Sequence, residues 1–402
     1  MHSVTTHPLV KQLISVYYRV GVWNRENEHS PIRLRIKWFY FIYQFMVPIS
    51  AIIGSFKNEN TDDRIFLVET SIVNGTLSAK FWLMMQKQEQ ILELLEKICI
   101  FSIQDKDCFR FFNKKLELFT KVTKSFMYAV IPLAVFSALA PFAGDRKLFF
   151  KLALPFDAEK NDFNFLMANF YTFTAVAFAF FFISFSVVLW YIMFVCSLRY
   201  NVLGIQLTKM GRLSEESKGV SDRQKQNAFR RDLWGIMKDC LLTRNLVCEI
   251  ESFCSTIFFI ELGTSGLCIC ASVYCLAFVK LIHKLFAFTS TDLTTFQNVS
   301  ENIVGRLVHL SSLGYNVAGI LITTYLGNEI TLTSNRLSYC VFESDWYDQP
   351  QSTKFIITIL GEFLQQPQVM VVAKLYTLTL ETFTRILNFA YSTFNILKNF
   401  RS

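Results

Sequence analysis

Apolar residues gather along this chain into long blocks, and shorter segments between them hold most of the charges. A helix needs about 20 apolar residues to cross a hydrocarbon core of about 30 Å. Seven blocks are long enough to do so, and they predict seven membrane-spanning helices. The predicted spans are Trp38–Phe56, Ile65–Met84, Phe126–Phe142, Phe163–Leu198, Ser255–Lys280, Asn302–Gly327 and Leu375–Leu397.

Helical periodicity also marks segments that do not span. The fourth block is longer than a span requires and should project beyond the bilayer. Arg230–Phe253 continues the helical pattern ahead of the fifth span, and it should form a helical extension outside the membrane, called the skirt below. Pro8–Val20 is amphipathic and should lie either at the membrane surface or against the protein's own polar part. A last amphipathic helix follows Pro350 and ends near Gln366.

Composition agrees with the hydrophobic pattern. Hydrophobic residues make up 52% of the chain and charged residues 18%, and 42 residues are Phe. Soluble domains carry about 25% charged residues. We therefore predict an all-α polytopic membrane protein, and the formal net charge of +8 does not indicate a nucleic-acid partner.

The basic residues predict an orientation. With the N-terminus inside, lysines and arginines of the inner segments outnumber those of the outer segments by roughly three to one, as positive loops stay cytoplasmic. The N-terminus should then be cytoplasmic and the C-terminus extracellular. Of two glycosylation sequons, Asn298 falls in an outer loop under this topology, whereas Asn74 lies inside the second span.

The residue pattern predicts no enzyme. We find no phosphate-binding glycine loop, no HExxH and no nucleophile elbow. The five histidines lack the spacing of a metal site, so we expect no metal and no cofactor. The cysteines fall in or beside predicted helices and cytoplasmic regions, which makes disulfides unexpected.

Polar residues of the last span recur every three or four positions and form one stripe about 80° wide, at about 100° per residue. Such a stripe cannot face lipid. It predicts either interhelical hydrogen bonds or a water-filled path, and its extent over the whole span favours the path. Its members are Glu381, Arg385, Asn388, Ser392, Asn395 and Asn399.

The other spans mix aromatic residues with small and hydroxyl residues towards their outer halves. This lining suits a small lipophilic ligand that one or two hydroxyl groups orient, although ordinary helix packing is the alternative for each residue. The candidate ligand-binding residues are Ser71, Phe136, Ser137, Ala140, Tyr171, Thr174, Phe178, Ser312 and Tyr315. Charges inside these spans are few: Glu69, Lys80, Glu261 and Arg306. We expect Lys80 to extend towards the inner surface and Glu261 to have a buried partner.

Three C-terminal segments resemble insect odorant receptors. Tyr339–Asp348 (YCVFESDWYD) resembles the aromatic and acidic stretch at the end of their sixth helix. Leu375–Phe383 resembles the start of their last helix, and Ser392–Phe400 resembles an ending that odorant and gustatory receptors share. The ending departs from the family pattern at several positions, including Asn395 and Lys398 inside its hydrophobic block. The motifs cover the C-terminal part of the chain only.

The resemblance implies an odorant-gated, non-selective cation channel in the cell membrane, in the dendrites of olfactory sensory neurons. It implies a heteromeric tetramer in which an odour-tuning subunit joins a shared co-receptor subunit. This chain would be the tuning subunit, since its second inner loop is too short for the co-receptor. By position, Ile396, Asn399 and Phe400 would form the gate.

With the resemblance, the chain divides into four parts. Residues 1–37 form a cytoplasmic N-terminus with an amphipathic helix, and residues 38–328 form six spans around a ligand pocket in their outer half. Residues 329–374 form a cytoplasmic anchor, where subunits pack. Residues 375–402 form the pore-lining last span.

Three other classes of protein remain as alternatives. A gustatory receptor would share the fold and the channel mechanism, and the Glu343–Tyr347 stretch favours the odorant branch instead. A G-protein-coupled receptor would need an external N-terminus, against the distribution of basic residues. A transporter would more often show internal repeats and interrupted helices, which we do not detect.

Overall fold

A computed structural model describes residues 2–24, 31–58, 61–103, 105–129, 131–132, 135, 152–156, 160–211, 221–286 and 294–401. The described part is almost wholly helical. Its α-helices, in chain order, are α1 Pro8–Val20, α2 Pro31–Lys57, α3 Thr61–Gln86, α4 Gln88–Cys99, α5 Lys106–Tyr128, α6 Asp162–Lys209, α7 Asp222–Phe286, α8 Thr294–Phe342, α9 Gln351–Leu364 and α10 Leu380–Arg401.

The remaining regular elements are short. A 3₁₀ turn covers Trp346–Asp348 between α8 and α9. Strand β1 (His2–Ser3) pairs with β2 (Ser102–Ile103), and β3 (Val371–Val372) pairs with β4 (Tyr376–Thr377); both pairs are antiparallel. They fasten the N-terminus and the segment before α10 to the helices.

Three helices are much longer than a bilayer is thick. Helices α6, α7 and α8 hold 48, 65 and 49 residues, and a helix rises about 1.5 Å per residue. Helix α6 contains the fourth predicted span and continues beyond it, and α7 joins the predicted Arg230–Phe253 skirt to the fifth span. The bundle therefore extends well outside the hydrocarbon core on at least one side.

Helix α6 lies at the centre of the bundle, where it contacts α2, α3, α5, α7 and α8. Its middle is buried on almost every side because nearly every residue there is apolar. The Trp190 indole N–H donates to Thr323 Oγ1 of α8 at 2.8 Å. The Phe194 ring stacks on Phe119 of α5 with 4.4 Å between centroids. These contacts fix α6 against two neighbours.

Helix α1 has the bounds that its periodicity predicts, and it packs on the protein itself. Its apolar stripe is buried, and the Tyr17 hydroxyl lies 2.7 Å from Ser184 Oγ of α6. Trp23, just after the helix, donates its indole N–H to the carbonyl oxygen of Met84 at 3.1 Å. The structure thus favours the second of the two sequence interpretations of Pro8–Val20.

By length and composition, three described helices could cross a membrane: α2, α6 and residues Asp222–Leu276 of α7. Helices α3, α8 and α10 also contain predicted spans, and all three carry polar residues within them. Those residues lower the mean hydropathy, and they are the ones that build the sites described below. The third predicted span lies largely outside the described residues.

Lipid explains the outer surface of α2 better than water does. Large apolar side chains of this helix are exposed, among them Phe39 at 63%, Ile42 at 57% and Phe56 at 77%. A continuous apolar surface on a soluble monomer would be an aggregation site. We infer that α2 faces the acyl chains.

The last helix begins at Leu380, later than the predicted start at Leu375. The residues before it form the β3–β4 hairpin, whose loop places Ala373 and Lys374 at φ values of 50° and 57°. Hydrogen bonds hold the hairpin on α7: Ser255 Oγ accepts from the Ala373 N–H at 2.6 Å and Glu251 Oε1 from the Val371 N–H at 3.2 Å.

Helix α8 approaches the same segment closely at Gly327. A Cβ atom at Gly327 would lie 2.7 Å from Leu378 Cβ, closer than two carbon atoms can pack. Any larger residue would push the segment before α10 away from α8. The start of the last helix is therefore placed by both α7 and α8.

Ion pairs join the helices outside the predicted membrane spans. Lys97 of α4 contacts Glu249 of α7 at 2.7 Å and Glu93 at 2.9 Å. Lys209 at the end of α6 pairs with Asp105, which also caps the start of α5. The hydrogen bond from Lys209 lowers the pKa of Asp105 below its usual value, and Asp105 raises the pKa of Lys209. These pairs tie the short helices to the long ones.

Candidate ligand-binding site and last helix

A cavity of 460 Å³ lies between α2, α3, α6 and α8, close to the end of α5. Ligand pockets typically enclose about 300–1,000 Å³. Most of its lining is apolar, and aromatic rings come from Phe66, Phe126 and Tyr315. The Phe126 and Tyr315 rings stack with 4.9 Å between centroids and 22° between planes. A small apolar molecule would find flat aromatic walls here.

One face of α3 supplies a side of the cavity. Glu69, Thr70, Val73, Asn74 and Leu77 all line it, and their spacing of one, three, one and three residues places them on one side of a helix. Helix α8 supplies another side, and α6 contributes Thr172, Ala175, Val176 and Ile183. The lining residues of α8 are Ser311, Ser312, Gly314, Tyr315, Asn316 and Ala318. Polar atoms are therefore few and come from specific helix positions.

Glu69 is the buried acid of this cavity, with 3% of its surface exposed. Its Oε1 accepts hydrogen bonds from Ser272 Oγ of α7 at 2.6 Å and from Ser312 Oγ of α8 at 2.7 Å. Its Oε2 lies 3.4 Å from Nδ1 of His309. Three helices thus meet at one carboxyl group inside the bundle.

Glu261 and Lys80 form a second buried polar centre, which supplies the partner that the sequence left unnamed. Lys80 Nζ lies 3.0 Å from Glu261 Oε2 and donates to Ser186 Oγ at 3.1 Å. The side chains of Lys80 and Glu261 are only 7% and 12% exposed. The expectation that Lys80 extends to the membrane surface is therefore wrong, because a buried carboxylate holds it inside.

Two of the predicted ligand-binding residues, Ser312 and Tyr315, line the cavity. Tyr171 and Thr174 lie next to it and instead contact Tyr43 of α2; the Tyr43 and Tyr171 rings are 5.3 Å apart. Phe178 packs on Tyr43 with 5.9 Å between centroids. Ser71 is buried, and its hydroxyl donates to the Pro48 carbonyl at 2.9 Å. Phe136, Ser137 and Ala140 lie outside the described residues.

Sequence reasoning missed several cavity residues. It singled out Glu69 as an intramembrane charge without placing it in the pocket, and it did not consider Asn316, Phe66 or Phe126. The helical spacing from Glu69 to Leu77 was a usable signal for α3. No comparable signal shows which faces of α6 and α8 turn towards α3.

The polar stripe of α10 lies on the exposed side of that helix. Glu381, Arg385, Asn388, Ser392 and Asn399 are exposed and Asn395 is half-buried. Ala390 on the opposite side is buried, as is Thr382 about 100° from the centre of the stripe, and α10 packs on α7 and α8. The stripe therefore points away from this chain's own bundle, at the centre of the exposed side of the helix.

Two further contacts and positions on α10 concern the stripe and the expected gate. Arg385 Nη2 donates to Glu381 Oε1 at 2.6 Å, the pairing that their spacing predicts. Ile396 of the expected gate is 56% exposed and lies on the edge of the same side. The backbone of α10 includes Phe400 and Lys398, whose side chains lie outside the described residues, as does the side chain of Asn298 in α8.

A bundle of membrane-length helices around an apolar cavity with a few convergent polar groups is the arrangement of a helical membrane receptor. Comparison with known proteins gives the family. The model of the 7tm Odorant receptor family matches residues 68–391. This chain belongs to the odorant receptor family, and the match favours the odorant branch over the gustatory alternative.

Curated relatives agree over part of their length. The chain is 22% identical over 205 residues to Odorant receptor 10 of Aedes albopictus and 23% identical over 209 residues to Odorant receptor 94a of Drosophila melanogaster. These alignments cover 51% and 52% of this chain and 48% and 47% of the relatives. The aligned part of the chain thus spans about half the length of each relative.

The fold has close solved counterparts. The structure of the insect olfactory receptor OR5 from Machilis hrabei superposes with a TM-score of 0.69 at 14% identity, covering 96% of this chain and 98% of that chain. The same receptor in complex with eugenol gives a TM-score of 0.67 at 15% identity, covering 97% and 99%. The likeness confirms the predicted multi-span helical fold.

Proposed function

We propose that this chain is an odour-tuning subunit of a ligand-gated, non-selective cation channel. A small volatile molecule binds in the cavity between α3, α6 and α8, and its binding opens a pore that α10 lines. The chain would work in the cell membrane of olfactory sensory neurons, at their dendrites. It would do so as part of a tetramer with a shared co-receptor subunit.

The cavity supports the ligand-binding half of the proposal. Its volume of 460 Å³ and its apolar, aromatic walls suit a small volatile compound that hydroxyl groups orient. The Machilis hrabei receptor, which has the same fold, was solved with eugenol, a small aromatic molecule. We extend that ligand size and chemistry to this chain.

The observation that carries the channel half is the exposed polar stripe of α10. Five of its six members are exposed on the isolated chain, and charged or amide side chains on a spanning helix cannot face lipid. Water, or the same helix of other subunits, would satisfy them. A stripe that turned inwards would instead have indicated hydrogen bonding within the bundle.

The stripe also implies assembly. One helix cannot enclose a conducting path, so several subunits must contribute. Helix α9 has a surface that such an assembly could bury: Ile357, Leu360 and Leu364 pack inside this chain, whereas Phe355 and Ile359 are 66% and 54% exposed. We assign α9 and the 329–374 region to the contact between subunits.

The membrane orientation belongs to the proposal. A cytoplasmic N-terminus places the start of α3, and with it the cavity, towards the outer half of the bilayer. It also places Asn298 on the outer side, where a glycan could be attached. Epitope tags at Met1 and Ser402 should be accessible from opposite sides of intact cells, with Met1 inside. An externally accessible Met1 would contradict the topology.

Heterologous expression tests the function. The chain alone should give little or no odour-evoked current, whereas the chain with an odorant co-receptor should give a robust non-selective cation current. The control is the co-receptor without this chain, on the same odorant panel. A current that depends on G proteins in both settings would contradict the channel mechanism.

A further inference from the structure

Glu69 lies where two cavities meet. It lines the cavity of 460 Å³ and also a second one of 320 Å³ between α3 and α7, where Leu267, Cys268 and Ala271 face it. Only 3% of the residue is exposed. This acidic side chain borders two spaces that a small molecule could occupy. The walls of both are mostly apolar, and Arg64 also lines the second.

The two oxygens of this carboxyl group differ in their surroundings. Oε1 accepts both serine hydroxyls, from Ser272 and Ser312. Oε2 accepts no hydrogen bond from the part of the chain that the structure describes, and Nδ1 of His309 also lacks a hydrogen-bond partner there. The two atoms lie 3.4 Å apart, within ion-pair distance, without forming a hydrogen bond to each other. One carboxyl oxygen is therefore left for another donor.

Within the described residues, ion-pair distance brings only His309 to Glu69. A carboxylate away from water loses its hydration, and each missing hydrogen bond to a charged group carries a large penalty. A donor from outside the chain would relieve that penalty. Water could serve when no ligand is bound, but a ligand that fills the cavity displaces water and must replace its hydrogen bond.

The contrast with Glu261 argues against a purely structural role. In the same bundle, Glu261 has a lysine at 3.0 Å, and that lysine also donates to a serine. Buried charges are usually paired in this way. Glu69 has two hydroxyls on one oxygen, an open second oxygen, and a cavity beside it.

We propose that Glu69 makes the cavity selective for ligands that carry a hydrogen-bond donor, and for small primary amines above all. The apolar or aromatic body of the ligand would pack on Phe126 and Tyr315, and its donor would bind Glu69 Oε2. This inference rests on the proposed function, because it takes the cavity to be the odorant site. It adds the chemical class of the odorant.

The energetic order follows from the charge of the donor. A hydrogen bond between two charged groups is about twice as strong as a neutral one. An ammonium group should therefore bind best, a hydroxyl less well, and a group that only accepts hydrogen bonds least, since it faces a carboxylate oxygen without a proton between them. Three probes share one aromatic body and differ in this group: 2-phenylethylamine, 2-phenylethanol and methyl 2-phenylethyl ether.

The test measures the binding of each probe to the purified full chain in detergent, from the concentration dependence of its thermal stabilisation. We expect 2-phenylethylamine to bind roughly ten times or more tightly than the ether, with the alcohol between them. Equal binding of amine and ether, or tighter binding of the ether, would overturn the proposal. This arm needs no variant.

Glu69→Gln supplies the second arm. The amide keeps the size of the side chain and a carbonyl acceptor, and it removes the charge. Affinity for the amine should fall by roughly 10- to 100-fold, while affinity for the alcohol changes much less. Because each probe is compared with itself, its partition into detergent cancels. Glu117→Gln, on the exposed surface of α5, is the matched control and should change none of the three.

Unchanged amine affinity in Glu69→Gln would also overturn the proposal. The result is separable from the channel function. If the probes bind in the expected order but evoke no current with a co-receptor, the proposed channel function fails and the selectivity of the cavity stands. If currents are evoked and the ether is the best agonist, the channel stands and the selectivity fails.

Discussion

At the residue scale, Tyr315 is the aromatic wall whose role is most accessible to experiment. Its ring stacks on Phe126 and lines the cavity, whereas Tyr171 contacts Tyr43 beside the cavity. Tyr315→Ala should raise the half-maximal odorant concentration by about tenfold or more, since it removes ring contacts worth over 1 kcal/mol. Dose–response curves with the co-receptor measure the shift.

Two variants separate the parts of that effect. Tyr315→Phe keeps the ring and should retain most of the sensitivity, except to ligands that bond its hydroxyl. Tyr171→Ala should weaken sensitivity less than Tyr315→Ala, because Tyr171 does not line the cavity. Wild-type curves for both alanine variants with every agonist would show that the ligand does not bind in this cavity.

We expect the Lys80–Glu261 pair to affect stability rather than ligand binding, because neither residue lines the cavity. Breaking a buried pair leaves one charge uncompensated, at a cost of about 3–5 kcal/mol. Glu261→Gln should therefore lower the thermal midpoint of the purified chain by several degrees, and the double variant Lys80→Met with Glu261→Leu should recover much of the loss. Thermal unfolding in detergent measures both.

The exposed pair Lys121–Glu117 is the matched control, with the same residue types at 2.9 Å. Water screens these charges, and Glu117→Gln should leave the midpoint nearly unchanged. If Glu261→Gln lowered the midpoint no more than Glu117→Gln does, water would screen the charges of Lys80 and Glu261 in the membrane-embedded protein as well. The double-variant recovery would then also be absent.

At the scale of the element, helix geometry on α10 makes a prediction that charge alone would not. Residue 399 lies at the centre of the polar stripe and residue 398 about 100° away from it. A lysine at that angle can reach headgroups or a neighbouring helix. Lys398→Ala should change conductance and ion selectivity little, whereas Asn399→Ala or Ile396→Ala should alter gating or permeation.

Single-channel recording with the co-receptor decides this. The effects of Asn399→Ala and Ile396→Ala should be partial, because other subunits supply the rest of the pore. A large change of selectivity in Lys398→Ala, with silent variants at residues 396 and 399, would mean that the pore-facing side of α10 is rotated from the polar stripe.

Local patterns predicted the elements well because their causes are local. The apolar stripe of Pro8–Val20 and the following Gly21, at φ 81°, define α1 within one stretch of sequence. The fourth apolar block predicted the start of α6 within one residue, although the helix continues past the block to Lys209. The polar stripe of α10 needed only the helical period.

Features that depend on distant residues could not be predicted. Lys80 and Glu261 lie on separate helices, and neither sequence neighbourhood names the other. Serines of α7 and α8 donate hydrogen bonds to the carboxyl group of Glu69. Its place in the cavity therefore depends on which faces α3, α7 and α8 turn towards one another. The β3–β4 hairpin before α10 has weak local signals, which is why the last helix was predicted to begin too early.

At the scale of the whole molecule, the proposed function joins two sites. We propose that the odorant binds between α3, α6 and α8 and that the pore forms at α10, which packs on α7 and α8. Helix α8 contacts both the cavity and the segment that places α10, through Gly327 and Leu378. We therefore expect α8 to connect ligand binding to the pore: a ligand that shifts α8 at Tyr315 would also shift the segment that begins α10.

The most direct test of this account asks whether ions pass along the polar stripe of α10. Ser392→Cys places a thiol at an exposed stripe position, and Ala390→Cys places one on the buried side, where residue 390 is 3% exposed. Each variant is expressed with the co-receptor, and a charged methanethiosulfonate reagent is applied from outside during odour-evoked current. The unsubstituted chain controls for its own cysteines, of which Cys248 is exposed.

The account predicts that the reagent persistently reduces or blocks the current through Ser392→Cys channels, and that it leaves the unsubstituted chain and Ala390→Cys unchanged. Block of Ala390→Cys with an unaffected Ser392→Cys current would contradict it, because ions would then pass along the other side of α10.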